Sequence, residues 1–390
     1  MNPWKGITDI PRNVWHISIA SVINRTGMMV LPFLALYVTQ EMGETPAAAG
    51  LVLTAYGLGG LISAPFVGKL SDKIGALKLM RLSLFTSGVC LFVYPFLENY
   101  YAILFYSVIL AVVTESFRPA SMAFISDSVN SEMRKPAFAL YRLAINFGMS
   151  IGPVLGGFLT SIDFSLLFYV DGATTLCAAA YLSFIKWDKI QHYEEDEDIA
   201  AKTNQPAHKD SRYIYILLAM APVVMVFFQH MSSMPIFLVE DLGYSRFTFG
   251  LLVSVNTVMI IFIELPLNNW MKNWKDWKLL FYGAILSGVG FGMMAYIENI
   301  TPIIISIMIW TFGEMVFFPS ASSLVAEMAP QGRRGEYMGL LQMMFSFCFT
   351  VAPWLGTTVY EVYGAEVLWL GTFGFGLLSC VMLLRLRKFK

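Results

Sequence analysis

Two ionisable residues inside an apolar run are the first place to look for chemistry. The stretch Thr114-Glu115-Ser116-Phe117-Arg118 lies within a run that begins near Tyr101. If that run crosses a bilayer, each charge costs roughly 3 kcal/mol or more unless it meets a partner or a water-filled cavity. Glu115 and Arg118 are three residues apart, so on one helix they share a face and would pair. Burial favours the neutral form of a carboxyl, and a nearby guanidinium favours the charged form. Movement of Arg118 relative to Glu115 would therefore bind or release a proton. The plainer reading of the same residues is a charge pair that only locks two helices together. Three further acids, Asp171, Glu264 and Glu314, also interrupt apolar runs, and Glu264 stands in Ile-Ile-Phe-Ile-Glu-Leu-Pro. His230 titrates in a useful range, or serves as a hydrogen-bonded structural residue. Arg25 would pair with one of the acids or attract an anionic group on a substrate. Glu115 and Arg118 lead as proton-coupling candidates, with Glu314 and Glu264 next, then Arg25 and His230.

The elements that carry these residues follow from composition. Of 390 residues, 57% are hydrophobic and 14% charged, against about 25% charged in soluble domains. Apolar runs of about 20 residues, each long enough to cross the hydrocarbon layer, recur along the chain. Twelve spans are expected near 14–40, 47–68, 79–97, 101–127, 136–160, 164–186, 213–239, 247–270, 277–297, 301–328, 335–360 and 365–385. The connection 187–212 carries Glu194-Glu195-Asp196-Glu197-Asp198 and reads as a solvated linker. It divides the chain into bundles 1–186 and 213–390. Lys and Arg gather at the N-terminus, the even-numbered connections, the linker and the C-terminus, while acids such as Glu41, Glu98, Asp163, Glu240 and Glu361 mark the odd-numbered ones. That asymmetry puts both termini and the linker on the cytoplasmic side. Residues 1–13 are polar, carry prolines and do not read as a signal peptide. Cys90, Cys177, Cys348 and Cys380 sit in apolar runs without metal-ligand spacing, so neither disulfides nor a metal are expected.

The two halves repeat. A shift of 200 places Gly43 on Gly243, Gly50 on Gly250, Lys78 on Lys278, Pro119 on Pro319, Arg134 on Arg334, Pro153 on Pro353 and Gly156 on Gly356. One constant offset across glycine, proline and charge implies a duplicated six-span bundle. Parallel repeats of this kind hold a binding site near the midplane.

Two segments carry a specific resemblance. Gly68-Lys69-Leu70-Ser71-Asp72-Lys73-Ile74-Gly75-Ala76-Leu77-Lys78 resembles the loop motif of the major facilitator superfamily, except that Ala76 and Leu77 precede Lys78 where two basic residues usually stand. Gly68 would allow close helix approach, Gly75 a tight turn, and Asp72 a latch onto amides or a basic group. Gly148-Met149-Ser150-Ile151-Gly152-Pro153-Val154-Leu155-Gly156-Gly157 resembles the fifth-span signature of that family's drug:proton antiporters. Gly148, Gly152 and Gly156 form one smooth helix face, and Pro153 bends the helix. Close packing between the halves, limiting proton leak, is the implied role. Arg118 resembles the family's buried fourth-span arginine, although Met122 stands where a glycine is usual. Asp127 and Arg134, with Arg142, resemble the charge cluster around the loop motif and would gate.

The resemblance implies an all-α, twelve-helix fold of two pseudo-symmetric six-helix bundles working by alternating access. It implies proton-coupled efflux of small amphipathic or lipophilic compounds in a bacterial inner membrane. Met28, Met29, Phe33 and Tyr37, with Met225, Phe227, Phe228, Met231 and Met234, are candidate cavity lining. The expected partners are a small-molecule substrate, protons and membrane lipid, without nucleic acid or a cofactor, in a chain working as a monomer. An uptake symporter, a siderophore or metabolite exporter and a lipid flippase are the competing tasks for the same fold. No nucleotide, hydrolase or metalloprotease motif points to an enzyme.

Overall fold

The computed structural model describes residues 10–188, 206–330 and 333–385. Those residues are helical apart from short connections. Ten membrane-spanning segments stand at Arg12–Glu41, Pro46–Ile74, Ala76–Phe96, Tyr100–Asp127, Ser131–Ile162, Phe164–Phe184, 211–241, Arg246–Met271, Asp276–Tyr296 and Ile300–Met328. The remaining stretch, Gly335–Arg385, is 51 residues long. At about 1.5 Å per residue that is more than twice the bilayer core. It is divided at Gly364, whose φ of 85° suits a residue without Cβ. The division makes it the eleventh and twelfth spans, as the sequence leads one to expect. The acidic run 194–198 lies outside the described residues.

Side chains set the span starts. Asn99 accepts from the Tyr101 amide at 2.8 Å, Asn130 from Met133 at 3.0 Å, Asp163 from Ser165 at 2.6 Å and Asp210 from Arg212 at 3.0 Å. Each satisfies an amide that the first helical turn leaves without a partner. The burial pattern is that of a protein in oil. Phe66, Phe105, Phe184, Phe262 and Trp270 are exposed, with Phe262 at 73%, while Asp171, Glu264, Ser107, Ser306 and Thr311 are buried.

The chain forms two compact units. The first contains residues 1–37, 55–194 and 245–257. Its core is built on Val14, Ile17, Leu79, Met80, Leu84, Phe117 and Phe124. The second contains residues 38–54, 195–244 and 258–390, around Tyr213, Ile216, Met220, Leu280, Phe317 and Leu341. Each unit thus takes in a short segment from across the 187–212 boundary. Glycine makes that possible. A Cβ on Gly250 would collide with the Pro153 carbonyl inside the first unit, and one on Gly50 would lie 2.8 Å from the Pro353 carbonyl inside the second. Ser254 donates to the Ser150 carbonyl at 2.8 Å, and Thr54 to the Thr350 carbonyl at 2.7 Å. Both pairs of contacts are related by the same shift of 200.

The repeat extends to irregular backbone. Five-residue π turns occupy Tyr37–Glu41 and Phe237–Asp241, and both are followed by a glycine of φ 70°, Gly43 and Gly243. Single 3-10 turns close the third and ninth spans at Tyr94–Phe96 and Met294–Tyr296. The first and seventh spans are both broken, near Met28 and at Phe228–Met231.

Candidate functional site

The break in the first span organises a polar cluster inside the first unit. Helix runs from Arg12 to Gly27, Met28 leaves helical geometry with ψ 74°, and helix resumes at Val30. The break exposes amides that an unbroken helix would satisfy. Asp171, on the sixth span and buried, takes two of them. Its Oδ2 accepts from Met29 N at 3.2 Å and from Val30 N at 3.3 Å. Its Oδ1 accepts from Thr175 Oγ1 at 3.4 Å, and Asn24 Nδ2 donates to the same hydroxyl at 3.1 Å. The break in the seventh span is held by an amide instead. Gln229 Oε1 accepts from Ser233 Oγ at 2.9 Å, and its Nε2 donates to the Ala352 carbonyl at 2.9 Å. The first break is tied to a carboxyl, whereas the second carries His230, whose Nδ1 lies 2.6 Å from the Phe227 carbonyl.

Beside that break lies a cavity whose wall includes Arg25, Tyr56, Thr114 and Asp171, with Leu110 and Phe117 as part of its apolar face. Tyr56 is buried on the second span, and its hydroxyl donates to Glu115 Oε1 at 3.2 Å. Tyr56 was invisible to charge counting. The available signal was a phenolic hydroxyl on the apolar second span, where a buried O–H needs a partner.

The expected Glu115–Arg118 pair does not form. The fourth span ends one helix at Glu115 and starts another at Phe117. Pro119 has no N–H to return to the Glu115 carbonyl, four residues earlier, so the ladder breaks at that carboxyl-bearing residue. Glu115 turns to Tyr56, and Arg118 is exposed, with no ion pair between them among the described residues. Of the proposed lining residues in the first span, Met28 faces the cavity, whereas Met29 and Phe33 are fully buried in packing.

The glycine stripe of the fifth span serves this cluster. A Cβ on Gly148 would lie 2.6 Å from Arg25 Cβ, and one on Gly152 would lie 3.1 Å from the Met28 carbonyl. One on Gly156 would lie 2.9 Å from the Phe33 ring. The stripe therefore packs on the broken first span, within its own half of the sequence. Other fifth-span groups reach the start of the eighth span: Gly157 lies against Arg246 and Phe247, the Pro153 carbonyl meets Gly250, and the Ser150 and Thr160 carbonyls accept from Ser254 and Arg246. Four-residue spacing told which glycines share a face, but not which neighbour fills it.

Inside the second unit, Asn268 links the eighth and tenth spans close in sequence to Glu264 and Glu314. Asn268 Nδ2 donates to the Glu264 carbonyl at 2.9 Å and reaches the Met315 carbonyl at 3.5 Å. Pro319 deprives Met315 of its helical donor in the way that Pro119 deprives Glu115, and Asn268 supplies a substitute. Glu264 is buried and Glu314 half-buried beside this bridge. His230 is half-buried, with Nδ1 at 2.6 Å from the Phe227 carbonyl and its ring stacked on Trp310.

The gating residues are less concentrated. Gly75, with φ 89°, begins the third span, and Lys73, Lys78 and Asp127 are exposed. Arg134 is half-buried and Arg142 exposed. Gly68 and Asp72 lie on the second-span helix, but their surroundings fall outside the described residues. No group of His, Cys, Asp and Glu among the described residues is arranged to hold a metal ion.

Comparison with known proteins agrees with this architecture. The sequence profile of the Major Facilitator Superfamily matches residues 17–245 and 216–390. An uncharacterized MFS-type transporter of Bacillus subtilis (strain 168), YqjV, is 24% identical over 373 residues, covering 94% of this chain and 90% of the relative. The multidrug resistance protein MdtH of Aeromonas salmonicida (strain A449) is 23% identical over 341 residues, covering 84% and 83%. The crystal structure of a mutant of the nucleoside transporter NupG superposes with a TM-score of 0.77 at 15% identity, over 95% of this chain and 99% of that one. That likeness concerns the fold alone. With its twelve spans and its repeat at 200 residues, the chain is an integral membrane transporter that belongs to the Major Facilitator Superfamily.

Proposed function

We propose that this transporter exports small amphipathic or lipophilic compounds in exchange for protons. Its two six-span halves, 1–186 and 213–390, would alternate access across a bacterial inner membrane, with both termini cytoplasmic and the chain working as a monomer. The observation that carries the reading is Glu115. It is a carboxyl placed midway along a membrane span, bonded to Tyr56, and next to the wall of a cavity. An ionisable group at such depth is functional by default. Its charge state would change the relative stability of the two access states, which is what coupling requires. Glu264 and Glu314, carboxyls on the eighth and tenth spans, would serve as an alternative proton route. Gly68, Asp72, Lys73, Gly75, Lys78, Asp127 and Arg134 would form the gate. The name of MdtH, a multidrug resistance protein, supports a broad substrate range.

The test is direction of transport in proteoliposomes. With an inward-directed proton gradient, export predicts substrate leaving the compartment that protons enter. Substrate entering together with protons would identify an uptake symporter, and substrate movement indifferent to the gradient would refute coupling.

A further inference from the structure

We propose that the cavity of the first unit binds the acid group of its ligand, with the Arg25 guanidinium receiving a carboxylate carried on an apolar body. The proposal deepens the transport reading and rests on it for the passage of the ligand, while binding itself is measurable without transport.

Arg25 occupies the last turn of the helix that ends at Gly27. A cation is favoured at a helix C-terminus, which tolerates the charge but leaves its donors to be satisfied. Nε of Arg25 is buried, and no protein acceptor lies within hydrogen-bond distance of it. Nη1 donates to the Met28 sulfur, a weak acceptor. The carboxyls of the same cluster are engaged elsewhere. Asp171 is held by Met29 N, Val30 N and Thr175, and Glu115 by Tyr56. No ion pair joins Arg25 to either acid among the described residues. The guanidinium thus faces the cavity with donor capacity that its own chain does not fill.

Its position is fixed from behind. Gly148 lets the fifth span approach to where a Cβ would be 2.6 Å from Arg25 Cβ, and Gly152 does the same at the Arg25 carbonyl, at 3.2 Å. A guanidinium presents paired donors in a plane that a carboxylate matches. The cavity's free volume in this state is about 40 Å³, so an apolar body would enter in a more open access state, against Leu84, Leu110 and Phe117 on the same wall. A buried guanidinium nitrogen without an acceptor is costly until it is paired, so an amphipathic acid gains more here than its neutral counterpart, although Asp171 on the same wall already offsets part of the charge. A free inorganic oxyanion or a lipid phosphate offers part of the same chemistry, and the experiment separates them.

The experiment is equilibrium binding to the purified full-length protein in detergent at fixed pH, without a gradient. The probes are three aryl carboxylates of increasing size, naproxen among them, each paired with its methyl ester. Sodium sulfate and phosphatidylglycerol are the competing arms. The expected result is that at least one acid binds about tenfold more tightly than its ester, the worth of one charge-assisted pair. Arg25→Gln should bring acid and ester within about twofold, and Arg25→Lys should lie between, since a lysine keeps the charge but loses the fork. Glu115→Gln, which the coupling account expects to uncouple transport, should keep the acid preference, so failure of coupling and failure of this site are told apart. If Arg25→Gln does not fold, the Lys variant decides, with an undiminished preference counting against the proposal. Acids that bind no better than esters, a preference that survives loss of the guanidinium, or displacement of every acid by sulfate or phosphatidylglycerol at equal concentration would overturn it.

Discussion

The Tyr56 hydroxyl donates to Glu115 Oε1 at 3.2 Å, joining the second and fourth spans at the carboxyl on which coupling is proposed to turn. Tyr56→Phe removes that donor and no carbon atom. A hydrogen bond to a charged group is worth about 1.5–3 kcal/mol. The expected outcome is a lower proton-to-substrate ratio with substrate affinity within about twofold, because the phenyl ring still fills its place. Substrate-induced proton flux and equilibrium binding, measured on the same preparation, check it.

Asp171 holds the broken first span through two backbone amides. Asp171→Ala strands the Val30 amide and leaves Met29 N only its bond to the Gly27 carbonyl at 2.6 Å, and a buried unsatisfied donor costs about 1–3 kcal/mol. The variant should melt several degrees below wild type in detergent. Thr175→Val, which removes the 3.4 Å contact to Asp171 and the Asn24 bond to the same hydroxyl but leaves both first-span amides held, should melt closer to wild type. Equal melting of Asp171→Ala and wild type would mean that the break is held by packing alone.

Gly50 and Gly250 occupy equivalent contacts in the two units, each against a proline carbonyl. Alanine at either should reduce transport by about tenfold or more, since overpacking a close contact costs typically 1–3 kcal/mol. Gly335→Ala and Gly339→Ala, where a Cβ meets nothing within 4 Å, should be silent. Initial transport rates at matched expression decide the matter.

Asn268 bridges the eighth and tenth spans next to Glu264 and Glu314. Asn268→Leu leaves the Met315 carbonyl without the donor that Pro319 withdrew. It should lower melting by the cost of one unsatisfied group, about 1–3 kcal/mol, and should leave the acid preference at Arg25 untouched, because that site lies in the first unit. A differential melt of the variant and wild type, with ligand present, checks both halves of the statement.

Much of this arrangement was legible in the sequence. Gly43 and Gly243 at positive-φ turns, and Pro153 and Pro353 inside helices, cannot be exchanged freely, so the offset of 200 stood out and returned as matched turns and matched contacts. The division at Gly364 followed from length. The Glu115–Arg118 pair did not follow, although Pro119 beside it carried the warning, since a missing N–H four residues on breaks the face that the pair would share. The first-span break carried a local signal in Gly27 and in Pro32, which has no N–H for the Met28 carbonyl four residues earlier. What the sequence could not show is that Asp171, 142 positions away along the chain, takes the Met29 amide. Tyr56 was unreadable for the same reason: its partner lies 59 residues off on another helix.

Simultaneous recording of substrate and proton movement in proteoliposomes carrying Glu115→Gln, Glu264→Gln or Glu314→Gln reaches the centre of the account. A neutral amide keeps the shape of the side chain and removes its proton exchange. The account predicts that Glu115→Gln binds substrate within about threefold of wild type, as expected where a shape-conserving change loses little binding, yet moves it without protons. Proton-coupled transport at the wild-type ratio in all three variants would contradict it.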